Sequence, residues 1–289
     1  MTTSAAEARA AAQTRLRWEL LRGLISKDLK VKYKNSALGF LWSLANPLLY
    51  LAVFSFVFGV AFRNGIPSFS AFLMSGLLVW NFFANAVAMA TSSVVANSNL
   101  VKKVRFPLPV LPLSAVGFAG THFVLQLGVL FAFLLTFGYP FFGAQLLLLL
   151  PAMIVVIVFV AGLSLLVAAL NVRYRDVGFI VEVVLLAGFW AVPVVYPITT
   201  VSAKLGSWHI YGAYLINPMT TVILTFQRAI YRRPVITNTV THAKQQVLAA
   251  SGYRFYVVHL ALAFVVAVAF FGLGWWVFRR RQGDFAEEL

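Results

Sequence analysis

Long apolar blocks separated by short polar breaks run through the chain. A helix needs roughly 20 mostly apolar residues to cross the hydrocarbon core of a bilayer. Six blocks reach that length: Phe40 to Phe62, Ala71 to Ala96, Leu108 to Phe137, Ala144 to Leu170, Val177 to Tyr196 and Tyr256 to Phe278. Unpaired backbone groups are costly in lipid, so each block is expected to be helical. Tilt accommodates the excess in the longer blocks. The pattern predicts an all-α integral membrane fold with six transmembrane helices.

Two further segments carry their own pattern. Leu16, Leu20, Leu21, Leu24, Ile25 and Leu29 recur at three- and four-residue intervals, with Arg15, Arg17, Arg22, Lys27 and Lys30 between them. That is a basic amphipathic helix suited to the headgroup region. The segment 197–255 is too long for a structureless loop. Pro193 and Pro197 break the fifth block near its end. Asn217-Pro218 then opens a second apolar stretch, Met219 to Tyr231, too short to span and closed by Arg232 and Arg233. It reads as re-entrant half-helices dipping into the outer leaflet, or as an interfacial helix lying flat. Residues 232–254 are polar and expected at the surface.

Orientation follows from Lys and Arg near the span ends. With a cytosolic N-terminus, the inner segments 1–39, 97–107, 171–176 and 279–289 carry eight, three, two and three basic residues. The short outer loops 63–70 and 138–143 carry one and none. The count favours both termini in the cytosol. No cleavable signal peptide is visible, because the first 37 residues are polar and basic and the first apolar block is too long for a signal core.

Composition sharpens the class. The chain is 61% hydrophobic and 11% charged, against about 45–50% apolar in a soluble domain. Its net charge of +15 would point to nucleic acid in a soluble protein. Here the basic residues edge the apolar blocks, where anionic headgroups account for them, and no nucleic acid is expected. The absence of cysteine excludes disulfides and thiolate chemistry. His122, His209, His242 and His259 show no metal-ligand spacing. No Gly-rich phosphate loop of the Walker type is present, so ATP is not expected to bind this chain in that way. Glu182 lies six residues after Asp176, about 9 Å deep, and His122 lies about 21 Å deep at about 1.5 Å per residue. At different depths they do not form a proton relay, which disfavours an ion-coupled carrier.

Several motifs carry a family resemblance. Lys27 to Pro47 leads from the basic helix into Tyr33-Lys34-x-Ser36-x-Leu38-Gly39-x-Leu41-Trp42 and then Pro47. Asn99 to Pro107 contains Lys102, Lys103, Val104, Arg105 and Phe106. Arg173-Tyr174-Arg175-Asp176 precedes the fifth block, and Pro193 to Pro197 and Asn217-Pro218 follow it. Together, in this order, they resemble the permease subunit of bacterial ABC exporters for polysaccharides, the O-antigen, teichoic acid and galactan export family. The resemblance implies one permease domain over 1–289, with a cytosolic amphipathic segment (1–37), a cytosolic coupling segment (97–107) and an outer gate and loop (197–255). It also implies a second copy of the chain, two ATP-binding cassette subunits that bind ATP and Mg, and a polyprenyl-pyrophosphate-linked glycan, possibly galactan, as cargo. This chain would hold no cofactor or metal and catalyse nothing itself. Its place would be the bacterial cytoplasmic membrane.

The resemblance assigns ATPase coupling to Asn99, Lys102, Lys103, Arg105, Phe106, Pro107, Arg175 and Asp176. The same basic residues also satisfy the orientation rule by themselves. Trp190, Pro193, Tyr196, Pro197, Tyr211, Tyr214, Asn217 and Pro218 fall at the channel and gate, where aromatic rings stack on sugars; an interfacial belt uses the same rings. Arg22, Lys30, Lys32 and Lys34 suit a lipid pyrophosphate, and anionic lipid in general equally well. An ABC exporter of drugs or lipids is one alternative. A membrane-embedded polyprenyl-dependent glycosyltransferase is another, although only Asp176 and Glu182 lie near a membrane-edge loop.

Overall fold

The computed structural model describes residues 15, 18–31, 34, 45, 48–50, 52–53, 56–57, 66–104, 106–207, 209–233, 235–237, 242, 244–249 and 252–289. Four helices are long and apolar enough to cross a membrane. They are α1 (Phe69–Ala96), α3 (Val110–Thr136), α4 (Leu149–Arg173, entered through a 3-10 turn at Ala144–Leu148) and α9 (Tyr253–Arg281). Shorter elements complete the chain: α2 (Ser98–Lys103), α5 (Val177–Ala191), α6 (Ile198–Ser207), α7 (Tyr211–Ile216), α8 (Pro218–Ile230) and α10 (Phe285–Glu288). The backbone of 18–31 is helical as well. The predicted first span, Phe40 to Phe62, lies largely outside the described residues.

The fold is that of a helical membrane protein, with one departure. Val235–Thr237 (β1) and Lys244–Gln246 (β2) pair as a short antiparallel ribbon. Beside it, Ile236, Val247 and Leu248 are buried in the main core. Residues 232–254 were expected to be surface throughout. Their three apolar side chains instead seal the end of the bundle.

The fifth apolar block also differs from its predicted extent. Its helix, α5, stops at Ala191 and has 15 residues. Val192 is extended, at φ −109° and ψ 152°. Pro193 enforces this, because its ring clashes with a helical preceding residue and it offers no N–H.

α1 is the axis of the core, buried along most of its length, with α3, α4, α5 and α8 packed around it. Its polar groups are answered locally or by a neighbour. Ser75 and Thr91 donate to the Phe72 and Val87 carbonyls at 2.6 and 2.7 Å. Asn171 Nδ2 of α4 donates to the Thr91 carbonyl at 2.9 Å and ties the two helices.

α4 and α9 cross more closely than side chains permit. A Cβ on Gly274 would fall on the carbonyl oxygen of Gly162, and one on Gly162 would meet the Phe271 backbone. Close backbone approach through small residues is how membrane helices gain dispersion energy where hydrophobic burial offers little. Gly272, two residues away, faces open space. Gly274→Ala is therefore expected to destabilise the protein by about 1–3 kcal/mol through overpacking, and Gly272→Ala to leave it unchanged. Thermal unfolding of both variants in mild detergent checks the pair; equal melting temperatures would show that the crossing accommodates a methyl group without cost.

Candidate functional site

Two regions gather the residues singled out from sequence. They lie at opposite ends of the bundle.

The basic end is formed where α1 ends, α2 follows, α3 and α5 begin, and α4 and α9 end. Asn97 stops α1, with its N–H on the Val94 carbonyl and its Nδ2 on the Ser93 carbonyl at 2.8 Å. Pro107 and Pro109 lead into α3, where a missing N–H costs nothing. Between them α2 makes a ledge. Its Val101 is buried in a cluster with Val94, Leu111, Leu165, Val172, Phe278 and Phe285, while Leu100 and Phe106 pack on the rim. Asn99, Lys102 and Lys103 face outward and are exposed. Pro107 is half-buried, and Arg105 lies outside the described residues. Arg175 and Asp176 are exposed in the α4–α5 turn at the same end. The Asp176 side chain caps no N–H of α5.

Sequence reading missed one contributor here. The C-terminal α10 folds back onto α2 and α4. Phe285 is fully buried, with its ring 5.2 Å from that of Phe278, edge to face. An aromatic residue four positions from the chain's last residue, after a run of arginines, was the available signal.

The 18–31 helix rests on this end. Leu24 packs on the Val101–Phe285 cluster, and Ile25 sits on Gly117 of α3. Trp18, Leu21, Pro107, Pro109, Trp275 and Arg279 line a groove of about 290 Å³ between this helix, the α2–α3 turn and α9. Arg22, Lys30 and Lys34 are exposed; Lys32 lies outside the described residues. Arg279 and Arg280 stand over Trp275 and Trp276 at 5.6 and 5.5 Å, the arrangement of an interfacial belt.

At the far end, α8 is the organising element. All its residues except Arg228 are buried, and it packs against α1, α4 and α9. Its start is set by Asn217, whose side-chain oxygen accepts from the Met219 N–H at 2.9 Å, and by Pro218 in the first turn. Thr225 donates to the Thr221 carbonyl at 2.7 Å, and Thr221 donates to the Leu215 carbonyl. Gln227 Nε2 donates to the Pro193 carbonyl at 2.7 Å, joining α8 to the break after α5.

The gate residues named from sequence surround this helix. Pro193 and Pro197 are buried, and Asn217 is exposed. Tyr196 is half-buried and donates to the Trp190 carbonyl at 3.0 Å. Tyr211 and Tyr214 pack partly buried against Leu148, Ile198, Leu215, Leu224 and Tyr256. Trp190 is more than half exposed on the outer side of α5. The structure thus brings Tyr196, Tyr211, Tyr214, Pro197 and Pro218 to one end and leaves Trp190 on the rim.

Loops at the far end are tied to α8's last turn. Tyr231 donates to the Pro67 carbonyl at 2.9 Å, and Tyr139 donates to the Tyr231 carbonyl at 2.6 Å. Burial pushes the Tyr139 hydroxyl up to about 12, against the opposing pull of Arg233 and Arg232, so it remains a proton donor at neutral pH. Arg232 Nη1 donates to the Pro140 and Phe142 carbonyls. Gln227, Tyr231 and Arg232 were not singled out from sequence, since their role depends on which loops meet them.

Among the described residues, no group of His, Cys, Asp and Glu could hold a metal ion. His122 is buried against Phe118, their rings 4.8 Å apart. Glu182 is exposed on α5.

Two variants test these constructions. Phe285→Ala is expected to cost about 3–5 kcal/mol as a buried cavity and to increase proteolysis of the α2 segment; limited proteolysis with thermal unfolding reads both. Gln227→Leu keeps volume but orphans the Pro193 carbonyl, at about 1–3 kcal/mol. Cross-linking between cysteines introduced at 194 and 223, which both lie against Gly76, should fall in that variant, and an unchanged yield would show that the bond does not hold the break.

Comparison with known proteins bears on both ends. The sequence profile of the ABC-2 type transporter family matches residues 19–231. An O-antigen export system permease protein RfbA of Klebsiella pneumoniae is 32% identical over 245 residues, covering 85% of this chain and 91% of the relative. A second protein of that name from Klebsiella pneumoniae is 34% identical over 215 residues, 73% of this chain and 79% of the relative. One from Myxococcus xanthus is 34% identical over 214 residues, 73% of this chain and 80% of the relative.

Proposed function

The chain belongs to the ABC-2 type transporter family, and from that premise we propose that it is the permease of an exporter for a lipid-linked polysaccharide of the O-antigen class. It is a multi-pass membrane subunit and not an enzyme; ATP hydrolysis lies in a partner. We assign that hydrolysis, with its Mg, to two ATP-binding cassette subunits, and the channel to two copies of this chain. The whole of 1–289 is one permease domain in this reading. It sits in the cytoplasmic membrane with six spans and both termini inside, so that the basic end faces the cytosol.

The observation that carries the reading is the α2 ledge. It exposes Asn99, Lys102 and Lys103 while Val101 anchors it to the same buried cluster as α1, α3, α4 and α9. A push on this ledge is therefore felt by four long helices together. Arg175, Asp176, Phe106 and Pro107 belong to the same contact surface, and Arg105 joins them by sequence. ATP supplies the bias through its different affinity for two partner arrangements.

α8 supports the re-entrant gate. Thirteen residues are too few to span, yet the helix is enclosed by longer ones. Irregular backbone at that depth is tolerated only against protein or a wet cavity. Tyr196, Tyr211, Tyr214 and Trp190 would offer sugar-stacking faces around it, with Pro193, Pro197, Asn217 and Pro218 shaping the turns. Arg22, Lys30, Lys32 and Lys34 would draw the lipid pyrophosphate at the entry side. Which glycan is carried, galactan included, is left to the cargo assay.

A second copy is favoured by α5. Val181, Leu185, Gly188 and Phe189 turn toward the bundle, with Gly188 against Trp80. Phe179, Ile180, Val183, Val184 and Leu186 are left exposed, together with Glu182. A carboxylate facing lipid is expensive, and a neighbouring protomer or an aqueous channel between protomers relieves it.

Purification from the host in mild detergent tests the assembly. The expected particle holds two copies of the chain and two ATPase subunits, and the Lys102→Glu/Lys103→Glu variant recovers several-fold less ATPase. No ATPase after cross-linking would remove the export reading. Full recovery with the double variant would move the coupling surface elsewhere.

A further inference from the structure

Buried polar atoms without a partner are concentrated around α8. Among the described residues, six side-chain atoms are fully buried and have no hydrogen bond within the protein. Four of them lie between 214 and 228: Tyr214 Oη, Thr220 Oγ1, Gln227 Oε1 and Arg228 Nε. Each carries its desolvation cost uncompensated.

Thr220 and Gln227 share one face of α8. They are seven residues apart, about two turns, with Ile223 between them on the same stripe. A Cβ built on Gly76 of α1 would lie 3.1 Å from Ile223 Cγ2, 3.2 Å from Gln227 Nε2 and 3.6 Å from Val194 Cα. The stripe is therefore covered by α1 and by residues 192–197, which follow α5. Tyr196 of that segment and Thr220 are the polar neighbours of the Tyr214 hydroxyl, yet neither is hydrogen-bonded to it.

The covering segment belongs to no helix or strand. It turns tightly at Pro193, with the Val194 N–H on the Val192 carbonyl at 2.8 Å. Val192, Val194 and Val195 are buried in the main core, and Gln227 Nε2 holds the Pro193 carbonyl at 2.7 Å. Lifting this segment would expose three valines and break that bond. It would also bring water to Thr220, Gln227 and Tyr214. Losses and gains on one short segment oppose each other, which is what a two-state element requires.

We propose that residues 192–197 are a lid over the polar face of α8, and that Thr220 and Gln227 line a water-filled passage when the lid lifts. Gln227 is also a positioning residue, since its amide holds the lid down. The lid stands on the geometry above; only its part in the passage rests on the export reading.

The chain has no cysteine, so an introduced thiol is the only one present. Thr220→Cys places it under the lid, and Val222→Cys places it about 200° away around the same helix; both positions are buried. Labelling by a water-soluble maleimide is followed in nanodiscs, for the chain alone and for its complex with the ATPase. Adding Gln227→Leu is expected to speed labelling of Thr220→Cys at least fivefold in the chain alone. ATP with Mg should speed it at least tenfold in the complex. Val222→Cys should change less than twofold in both settings. An unchanged rate at 220 on adding Gln227→Leu overturns the lid, and so does an equal rise at 222, which reports loosening of the whole helix. A complex that hydrolyses ATP without faster labelling at 220 overturns the lid's part in the passage. Failure to recover any ATPase counts against the export reading instead, and the chain alone then decides the lid. Thr220→Val removes an unbonded hydroxyl, so the melting temperature should hold or rise; a fall would show that the hydroxyl is bonded and overturn the proposal.

Discussion

Polar groups at membrane depth must find partners within the protein, and the far half of this bundle is arranged around meeting that demand for one helix. α8 carries Thr220, Thr221, Thr225 and Gln227 on a helix too short to span. In a soluble protein water would satisfy such a helix on its outer side. Here α1, α4 and α9 enclose it, so Thr225 turns back on its own helix, Thr221 reaches the Leu215 carbonyl and Gln227 Nε2 reaches a carbonyl left free elsewhere. The break after α5 frees the Pro193 carbonyl, and Gln227 takes it. Proline and glutamine are thus two halves of one solution, 34 residues apart.

The opposite end follows another logic. Little of it depends on hydrogen bonds. Val101, Phe278 and Phe285 bring α2, α9 and α10 to a common apolar cluster, and the lysines of α2 stay outside it. The close crossing of α4 and α9 at Gly162 and Gly274 stiffens the frame on which this cluster sits. A ledge mounted on a stiff frame transmits displacement, where one on a loop would absorb it.

Charge is divided unevenly along the chain. Carboxylates are confined to the N-terminal segment, the α4–α5 turn with the start of α5, and the C-terminal tip. Among the described residues the one ion pair is Arg15–Glu19, exposed on the N-terminal helix, and exposed pairs of this kind contribute little. Cations elsewhere rest on aromatic rings, as Arg233 does on Tyr139 and Arg280 on Trp276.

Hydropathy and proline by themselves determined much of this. The apolar blocks from Ala71 onward form helices because lipid leaves the backbone no alternative, the fifth only as far as Ala191. The stops at Asn97, Pro193 and Asn217-Pro218 are legible because their causes are local: a cap, a missing N–H, a steric clash. The exposure of the α2 lysines was equally legible, since a lysine pair beside apolar blocks has one comfortable side. What hydropathy left undetermined was contact across long sequence separation. Periodicity showed a short apolar stretch at 219–231 but not what covers it; packing against α1, α4 and α9 buries it. Phe285 under α2, Ile236 and Leu248 in the core, and Tyr231 on Pro67 are likewise tertiary facts. Each depends on which surfaces the assembled bundle leaves uncovered, and no local rule along the chain carries that information.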